Sequence, residues 1–409
     1  MFIHELTVDA LKSAFSIVKR NHGSGGVDQI SIKQYERHLD RNLLELLRRI
    51  KNRAYEPLPV RRVHIPKPNG KTRPLGIPAV RDRVVQQAVL SVVQPHLEPL
   101  FSAKSYGFRP GKSARQAIVQ IQEYLNQGYT HIVDADIRDF FGTLNQQLLM
   151  ANIRDAIPDR GVTYLIWQFL RAGVMEEGKL RTATAGTPQG GVISPILANL
   201  YLNEFDHALE KAGLKLVRYA DDFVILCRSV NQAVMAMQRV QVLLKKLKLE
   251  LAPEKTRITE YKTGFDFLGY RFQQFYGNKY WPRHKAVQAF REKVKNLTRR
   301  QQPKNVAQVI TTLNPLIRGW GNYFKDGNSK SCFERLDGWI RMRLRSFIEK
   351  KKWPAGMNWK YPSNHFQKLG LVCLTSLRAS VPTAKQLSFS DMEQPARRAV
   401  CGQSARTVR

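Results

Sequence analysis

Residues 217–226 read VRYADDFVIL, so two adjacent acids interrupt an otherwise apolar run. The apolar residues on either side predict two short strands, and the acids between them predict a tight turn. Ionised carboxylates are costly to bury without partners, whereas Mg²⁺ binds through a few carboxylates together with substrate phosphates. The stretch therefore predicts a hairpin whose tip is either a site for divalent cations or an acidic surface turn.

A third acid of interest ends a predicted buried strand. Residues 131–137 read HIVDADI, and strand alternation puts Asp134 and Asp136 on one face. Phosphoryl transfer by two metals needs carboxylates that converge from separate elements. Taken alone, Asp136 reads as a solvated acid at a strand end. Beside a hairpin that carries Asp221 and Asp222, it would complete a two-metal set.

Two further stretches have the composition of phosphate-binding segments. Residues 186–191 read GTPQGG and precede a predicted helix, for which Ser194 suits the N-cap and Pro195 the first helical position. Glycines let a backbone approach a ligand closely, and a helix N-terminus attracts phosphate. Residues 61–74 form a predicted hairpin with five Lys and Arg side chains, which can bracket a triphosphate. The plainer alternatives are an ordinary loop and a solvated basic hairpin.

The charge of the chain predicts a polyanionic partner. Its 409 residues include 66 Lys and Arg against 33 Asp and Glu, a formal net charge of +33. Residues 283–409 hold 26 of these cations against 7 acids, which makes the C-terminal third the predicted polyanion-binding part. Composition alone equally fits a ribosome-like or chromatin-like binding protein. A hydrophobic content of 43% is enough for two or more domains.

Cysteine usage and the N-terminal sequence predict a reducing, cytoplasmic location. The four cysteines, Cys227, Cys332, Cys373 and Cys401, lack the spacing of a zinc site or a disulfide framework. The first residues lack the basic and apolar regions of a signal peptide. No apolar run approaches the ~18 residues of a membrane span. We expect no membrane association and a bacterial-type protein that accompanies the nucleoid or a ribonucleoprotein.

Hydrophobic periodicity predicts a mixture of helices and strands. The predicted helices are residues 8–19, 35–51, 80–98, 113–126, 144–172, 194–211 and 230–248. The predicted strands are a hairpin over 60–77 with its turn at Asn69-Gly70, a strand over 131–137, a hairpin over 216–227 and an aromatic strand pair around 264–281. A change of apolar phase near Gly269 predicts a bulge there.

After Pro282 the pattern changes to helices with basic outer faces. Apolar stripes recur near residues 287–297, 306–313 and 333–340, and Pro315 is expected to end or kink the second helix. Beyond about residue 380 the polar composition predicts a mobile tail.

The order of these motifs closely resembles reverse transcriptases encoded by group II introns, also called intron maturases. The stretches that carry the resemblance are residues 63–68 with 74–78, 105–114, 134–137 with 140–141, 186–203, 219–222, 253–256, 267–270 and 317–324. Together they extend over about residues 20–375. A Tyr-Ala-Asp-Asp tetrad alone is a weak signal, but the 186–203 stretch is specific.

The resemblance implies an α+β right-hand polymerase fold and a set of active-site residues. Fingers and palm would occupy residues 1–282, a helical thumb and maturase-specific domain 283–380, and a flexible tail 381–409. Two Mg²⁺ ions would be held by Asp136, Asp221, Asp222 and the backbone carbonyl of Ile137. Binding of the incoming deoxynucleoside triphosphate would fall to Lys67, Arg73, Gln189 and Phe141. At Phe141 an aromatic ring would exclude a ribose 2′-hydroxyl, and Lys255 would be the general acid for the leaving pyrophosphate.

The resemblance also implies contacts to nucleic acid. The residues implied for RNA or primer binding are Arg109, Gly269 in the primer grip, Arg318, Arg341 and Arg345. Partners would be intron RNA, an RNA template with a DNA or RNA primer, and target DNA, whereas nothing in the sequence indicates a protein partner. Arg341 and Arg345 are four residues apart and share one helix face. For Trp320, beside Arg318, a structural role is at least as well supported as an RNA contact.

Function in this family divides between copying RNA and assisting splicing. We expect an RNA-directed DNA polymerase that binds its intron RNA and copies it during intron mobility. The alternatives are a protein that acts mainly as a splicing maturase, and a domesticated or defence-associated reverse transcriptase. Beyond residue 375 the sequence has no cysteine pair and no histidine, so we expect no nuclease module. The priming end would then come from a nick or from replication.

Overall fold

The computed structural model describes residues 2–66, 70, 72–181, 185–187, 190–275, 277–350 and 358–378. These residues form two compact units. The first contains residues up to 124 together with 133–258, and the second contains 125–132 together with the described residues from 259 onward. The division falls near residue 258, so the aromatic strands before residue 282 belong to the second unit. The assignment of fingers and palm to residues 1–282 and of the helical domain to 283–380 stays a prediction, and the predicted tail at 381–409 lies outside the described residues.

Helices make up most of both units. They are α1 (Val8–Arg20), α2 (Ile32–Glu36), α3 (Leu39–Lys51), α4 (Val80–Leu97), α5 (Ala114–Asn126), α6 (Phe140–Thr143), α7 (Gln146–Ala156), α8 (Arg160–Arg171), α9 (Ser194–Tyr201), α10 (Asn203–Lys211), α11 (Val230–Lys246), α12 (His284–Leu297), α13 (Val306–Phe324), α14 (Lys330–Glu349), α15 (Ser363–Lys368) and α16 (Leu374–Arg378). Short 3₁₀ turns precede α1 and follow α4.

The strands form three sheets. They are β1 (Val60–Pro66), β2 (Thr72–Ile77), β3 (His131–Asp136), β4 (Val174–Glu176), β5 (Lys179–Arg181), β6 (Lys215–Tyr219), β7 (Asp222–Cys227), β8 (Arg257–Glu260), β9 (Phe265–Phe267), β10 (Tyr270–Gln274) and β11 (Asn278–Pro282). The strand orders are β2-β1-β4-β5, β6-β7-β3-β8 and β11-β10-β9. The β6-β7-β3-β8 sheet carries the acids on which the predicted site depends.

Local sequence explains why three predicted long helices are each interrupted. Between α7 and α8, Pro158 disfavours a helical Ile157, and the Asp159 side chain then caps α8 by accepting from the Val162 amide. The predicted helix 35–51 breaks at His38, whose backbone is not helical, and 194–211 breaks at Leu202. Hydrophobic periodicity predicts which face of a helix is buried, but it does not predict a break of one or two residues between consecutive helices.

Two predictions about the second unit have different outcomes. Pro315 does not end α13, which continues to Phe324 with Leu313 and Ile317 on either side of the proline buried, and the predicted kink stays a prediction. At Gly269 there is no bulge. Leu268 (φ +48°) and Gly269 (φ +82°) are instead the two-residue turn that joins β9 to β10, a turn that favours positive φ at both positions.

One hydrophobic core fills the first unit. α1 packs on α4, and their buried side chains continue through β3, β6 and β7 to α8, α9 and α11. Phe223, Ile225 and Cys227 on β7 belong to this core. The strands that carry the acids are therefore anchored along their length, and only their ends approach the surface. No helix in the described part of the chain is long and apolar enough to cross a membrane.

Candidate active site

The two adjacent acids lie at the tip of a tight antiparallel hairpin, as the sequence predicts. Tyr219 at the end of β6 pairs with Asp222 at the start of β7, which leaves Ala220 and Asp221 as a two-residue loop. Ala220 has φ +61°, a left-handed conformation that a residue with a Cβ rarely adopts. Backbone strain of this kind persists only where the surrounding structure enforces it.

A buried ion pair below the turn provides that enforcement. Arg218 and Asp206 are 1% and 0% exposed, and the guanidinium donates through Nε to Asp206 Oδ1 at 2.7 Å. Its Nη1 donates to the carbonyl of Ala220 at 2.9 Å and to Asn199 Oδ1 at 3.1 Å. One guanidinium therefore ties the strained turn to α9 and α10. The pair was not predicted from the sequence, although a lone arginine inside an apolar strand is a signal for it.

The loop of residues 104–107 also contacts this turn closely. The amide of Tyr106 donates to the carbonyl of Arg218 at 2.9 Å, and the amide of Arg218 donates to Lys104 O at 3.0 Å. A Cβ added to Gly107 would lie 2.4 Å from the amide nitrogen of Ala220, so only glycine allows this approach. The carbonyl of Gly107 accepts from the buried Asn199 side chain at 2.9 Å.

The structure brings the third acid to the two turn acids. β3 lies beside β7 in the sheet, and Asp136 is the last residue of β3. Burial, and after it the negative charges of Asp136, Asp134 and Asp221, raises the pKa of Asp222 to about 7. Burial also raises the pKa of Asp221, and the charge of Asp136 adds to that effect. The three acids therefore act on one another electrostatically.

Two cations partly balance these acids. Lys255 donates from Nζ to Asp136 Oδ2, and this hydrogen bond raises the pKa of Lys255. The Arg257 guanidinium on β8 lies 3.1 Å from the carboxylate of Asp134, so Asp134 forms an ion pair between the neighbouring strands β3 and β8. Ile137 is buried and bridges to Leu251. Asp136 pairs with Lys255, and its charge acts on both turn acids, whereas that of Asp134 acts on Asp222. The assignment of the metal ligand to Asp136 and not to Asp134 stays a prediction from the family resemblance.

The acids fit a divalent cation in chemistry but do not form a closed cage. In the described ranges, no three His, Cys, Asp or Glu side chains are arranged so that they could hold a metal by themselves. Like charges on desolvated carboxylates nevertheless favour a cation, and carboxylates with substrate phosphates are the ligand set of Mg²⁺ in nucleotide-handling enzymes. The site suits an ion whose coordination is completed by a bound phosphate.

Of the residues implied for nucleotide binding, the structure describes Arg73 and Phe141. Arg73 on β2 is exposed, and its charge opposes the rise in the pKa of Asp221. Phe141 is half-buried against Phe140, with the ring centroids 5.3 Å apart, whereas Phe140 is core and only 2% exposed. Lys67 and Gln189 lie outside the described residues.

The described glycines of the 186–191 loop pack against protein. Gly186 (φ +77°) lies so close to the Phe141 carbonyl that an added Cβ would be 2.5 Å away, and a Cβ on Gly190 would be 2.4 Å from Gly76 O. Ser194 is not the N-cap that the sequence predicts, because α9 begins at Ser194 itself. Its hydroxyl instead lies 2.8 Å from that of Thr187.

The residues implied for RNA or primer binding fall into two groups. Arg109 is buried and donates to Glu98 Oε1 and to the carbonyls of Ser102 and Ser105. Arg345 is 8% exposed, donates to Tyr361 O and lies over the Phe366 ring. Both guanidiniums are thus engaged inside the protein. Arg318 is exposed and Arg341 half-buried.

Gly269 and Trp320 are half-buried in the second unit and contact aromatic side chains there. The Tyr323 hydroxyl donates to Leu268 O, one residue before Gly269, and the Phe324 ring lies beside Gly269. Trp320 stacks on Phe290 with the ring centroids 4.6 Å apart, which favours the structural role.

Comparison with known proteins assigns the family. The sequence model of the reverse transcriptase (RNA-dependent DNA polymerase) family matches residues 65–272, just over half of the chain. The chain therefore belongs to the reverse transcriptases. The group II intron maturase-specific domain matches residues 287–364, which makes the chain a member of the group II intron-encoded reverse transcriptases or maturases. These matches confirm the predicted family, its mixed α+β fold with a helical C-terminal part, and its class as an RNA-directed DNA polymerase.

Known sequences and solved structures that the chain resembles include the following three. It is 37% identical over 285 residues to Protein YkfC of Escherichia coli (strain K12), covering 60% of this chain and 75% of that protein. It is 32% identical over 300 residues to Group II intron-encoded protein LtrA of Lactococcus lactis subsp. cremoris, covering 56% of this chain and 49% of that protein. This chain thus spans about half the length of LtrA. A chain of a partial Cas6-RT-Cas1–Cas2 complex has 26% identity and a TM-score of 0.38, covering 59% of this chain and 42% of that one.

The buried pair below the turn gives a stability prediction. Asp206→Asn leaves the Arg218 guanidinium buried without its counter-charge, and breaking a buried pair in this way costs about 3–5 kcal/mol. We expect a corresponding loss in the free energy of unfolding, measured by urea denaturation. Asp155→Asn, an exposed acid on α7, serves as the control and should leave the midpoint unchanged. Equal stability of Asp206→Asn and the wild type would contradict the role given to the pair.

Proposed function

We propose that the chain copies RNA into DNA from a primer 3′-hydroxyl, with deoxynucleoside triphosphates as substrates and two Mg²⁺ ions as cofactors. The observation that supports this most is that β3, which ends at Asp136, lies beside β7, which begins at Asp222, so that the charge of Asp136 acts on both Asp221 and Asp222. Asp136, Asp221, Asp222 and the carbonyl of Ile137 would hold the ions. When bound, such ions lower the pKa of the attacking hydroxyl and stabilise the departing pyrophosphate.

The surrounding cations and aromatic rings would select and orient the substrate. Arg73 is exposed on β2 and its charge reaches Asp221, so it can bind the triphosphate beside the acids. Lys67 and Gln189 would complete this pocket. The ammonium group of Lys255 donates a hydrogen bond to Asp136. Once the Asp136 carboxylate binds a metal ion instead, Lys255 would be the general acid that protonates the leaving pyrophosphate. Phe141 presents a half-buried ring at the position expected to exclude a 2′-hydroxyl.

The first test removes one carboxylate. Asp222→Asn or Asp221→Asn should abolish primer extension on an RNA template, because one charged ligand of the ions is lost, while the affinity for RNA stays near that of the wild type. Asp155→Asn is the matched control and should extend normally. Full extension by either active-site variant would remove the assignment.

The second test concerns the choice of sugar. Phe141→Ala should allow incorporation of ribonucleoside triphosphates, because removing the ring leaves space for the 2′-hydroxyl. The ratio of kcat/KM for deoxynucleoside over ribonucleoside triphosphates measures this effect. Phe140→Leu, a change in the adjacent core ring, should lower stability without changing the ratio. If only Phe140→Leu changes the ratio, the gate is assigned to the wrong residue.

The second unit suggests a further role on RNA. α12 and the residues after it expose the cations Lys285, Arg291, Lys293, Lys295, Arg299 and Arg300. The group II intron maturase-specific domain matches this region, and Arg318 is exposed on the following helix. We propose that this surface, with Arg318 and Arg341, binds the intron RNA to assist splicing. Target DNA would enter as the strand that supplies the priming end, and the protein would act in the cytoplasm with its RNA.

The basic surface gives a salt-dependence prediction. The double variant Lys293→Gln and Lys295→Gln should reduce the slope of log affinity against log salt by about 0.7–0.9 for each lysine–phosphate ion pair that it removes. The control changes Lys245 and Lys246, exposed on α11 of the first unit, to Gln. We expect that pair to leave the slope for intron RNA unchanged. The same slope in the α12 variant and in the wild type would exclude α12 from the RNA-binding surface.

A second candidate function is splicing assistance without a need for synthesis. The match to the maturase-specific domain and the exposed cations of α12 favour it. Under this alternative, intron splicing at near-physiological Mg²⁺ would require the protein but would tolerate Asp221→Asn. Retention of all three acids in apolar strands favours the polymerase, because clustered carboxylates are costly to keep without a cation to bind.

A further inference from the structure

Phe108 is an exposed aromatic side chain beside the acid turn. Phe108 is 51% exposed and its backbone has φ +59°, in the left-handed region. Its ring lies 6.5 Å, centroid to centroid, from the ring of Tyr219, the residue that precedes the turn. Exposure of a large apolar ring and a left-handed backbone both cost free energy, and the fold gains nothing evident from either.

The loop that carries Phe108 is fixed on both sides. Gly107 is pressed against the Ala220 amide and its carbonyl accepts from Asn199. Arg109 is buried, and its guanidinium donates to Ser102 O, Ser105 O and Glu98 Oε1. The ring is therefore held in place beside the turn, and its exposure does not come from a loose loop.

We propose that Phe108 stacks against the base pair at the primer 3′ end, with Tyr219 beside it. The inference rests on the proposed function, since that function places the primer 3′-hydroxyl next to Asp221 and Asp222. A flat apolar ring suits this occupant, because every base offers a π-face and stacking on an aromatic side chain is tolerant of sequence. The formal charge of +33 favours nucleic acid over a protein or lipid as the molecule that covers the ring.

A substitution by glycine separates the ring from the loop conformation. Glycine adopts positive φ without penalty, so Phe108→Gly removes the ring while it relaxes the backbone. The melting temperature of this variant should equal or exceed that of the wild type. Phe108→Trp keeps an aromatic face at the same position and is the restoring variant. Tyr164→Ala, an exposed aromatic on α8 of the same unit, is the control.

The experiment measures binding and stacking without synthesis. The full chain is titrated with an RNA template annealed to a DNA primer that carries 2-aminopurine at its 3′ end. We expect Phe108→Gly to raise the dissociation constant about tenfold, as for loss of one base–aromatic stack, and to abolish the change in 2-aminopurine fluorescence. Phe108→Trp and Tyr164→Ala should bind the primer–template with the dissociation constant of the wild type and give the same change in 2-aminopurine fluorescence.

Two results would overturn the proposal. One is equal affinity and equal fluorescence in Phe108→Gly and the wild type. The other is a loss in Phe108→Gly that Phe108→Trp does not restore, since the loop and not the ring would then be responsible. The readout is independent of chemistry. A wild-type chain that shows the fluorescence change but never extends the primer would contradict the proposed polymerase function and leave the stacking site intact.

Discussion

The first unit is organised around half-buried carboxylates at the tip of one turn. Because the pKa of folded Asp222 is about 7, above the ordinary value of 3.8, the folded state keeps a proton that the unfolded chain loses between those pH values. The contribution of Asp222 to stability is therefore greatest at low pH and is lost as the pH rises toward 7. As the turn carboxylates ionise toward neutral pH, contacts elsewhere in the unit must stabilise the turn. The Arg218–Asp206 pair below the turn and the loop at Gly107 supply that support.

The same constraint explains the arrangement of Lys255. Its ammonium pairs with Asp136 from a side chain that is 61% exposed, so the pair is reversible and needs no rearrangement of the core. Asp134 pairs with Arg257 on β8. The two pairs are alike in exposure, since the Arg257 side chain is 54% exposed. What distinguishes Asp136 is that its charge acts on both Asp221 and Asp222, whereas that of Asp134 acts on Asp222.

Much of the site could be predicted from the sequence, because its parts lie on short and strongly patterned segments. The two strands around Asp221 and Asp222 and the strand that ends at Asp136 follow from runs of apolar residues. Their meeting required the resemblance to a family, since sheet order is not encoded in local periodicity. The Asp206–Arg218 pair was missed because its partners are 12 residues apart on a helix and a strand, and only the packed structure brings them together. The change of apolar phase near Gly269 predicts a bulge, but the two-residue turn at Leu268-Gly269 changes the phase in the same way.

The arginines illustrate why residue type does not settle an RNA contact. Arg109 and Arg318 lie in stretches that carry the family resemblance, Arg345 lies on α14 beyond them, and the three side chains are chemically identical. Arg109 has carbonyls and a glutamate around it, and Arg345 has a carbonyl and an aromatic ring, so their guanidiniums are satisfied within the protein. An arginine in such surroundings gains little from a phosphate, because the contact would first break bonds that are already made. Arg318 and the lysines of α12 keep their charges in solvent, where counterion release favours association with a polyanion. Affinity for RNA should therefore follow exposure of the cation and not its place in a motif.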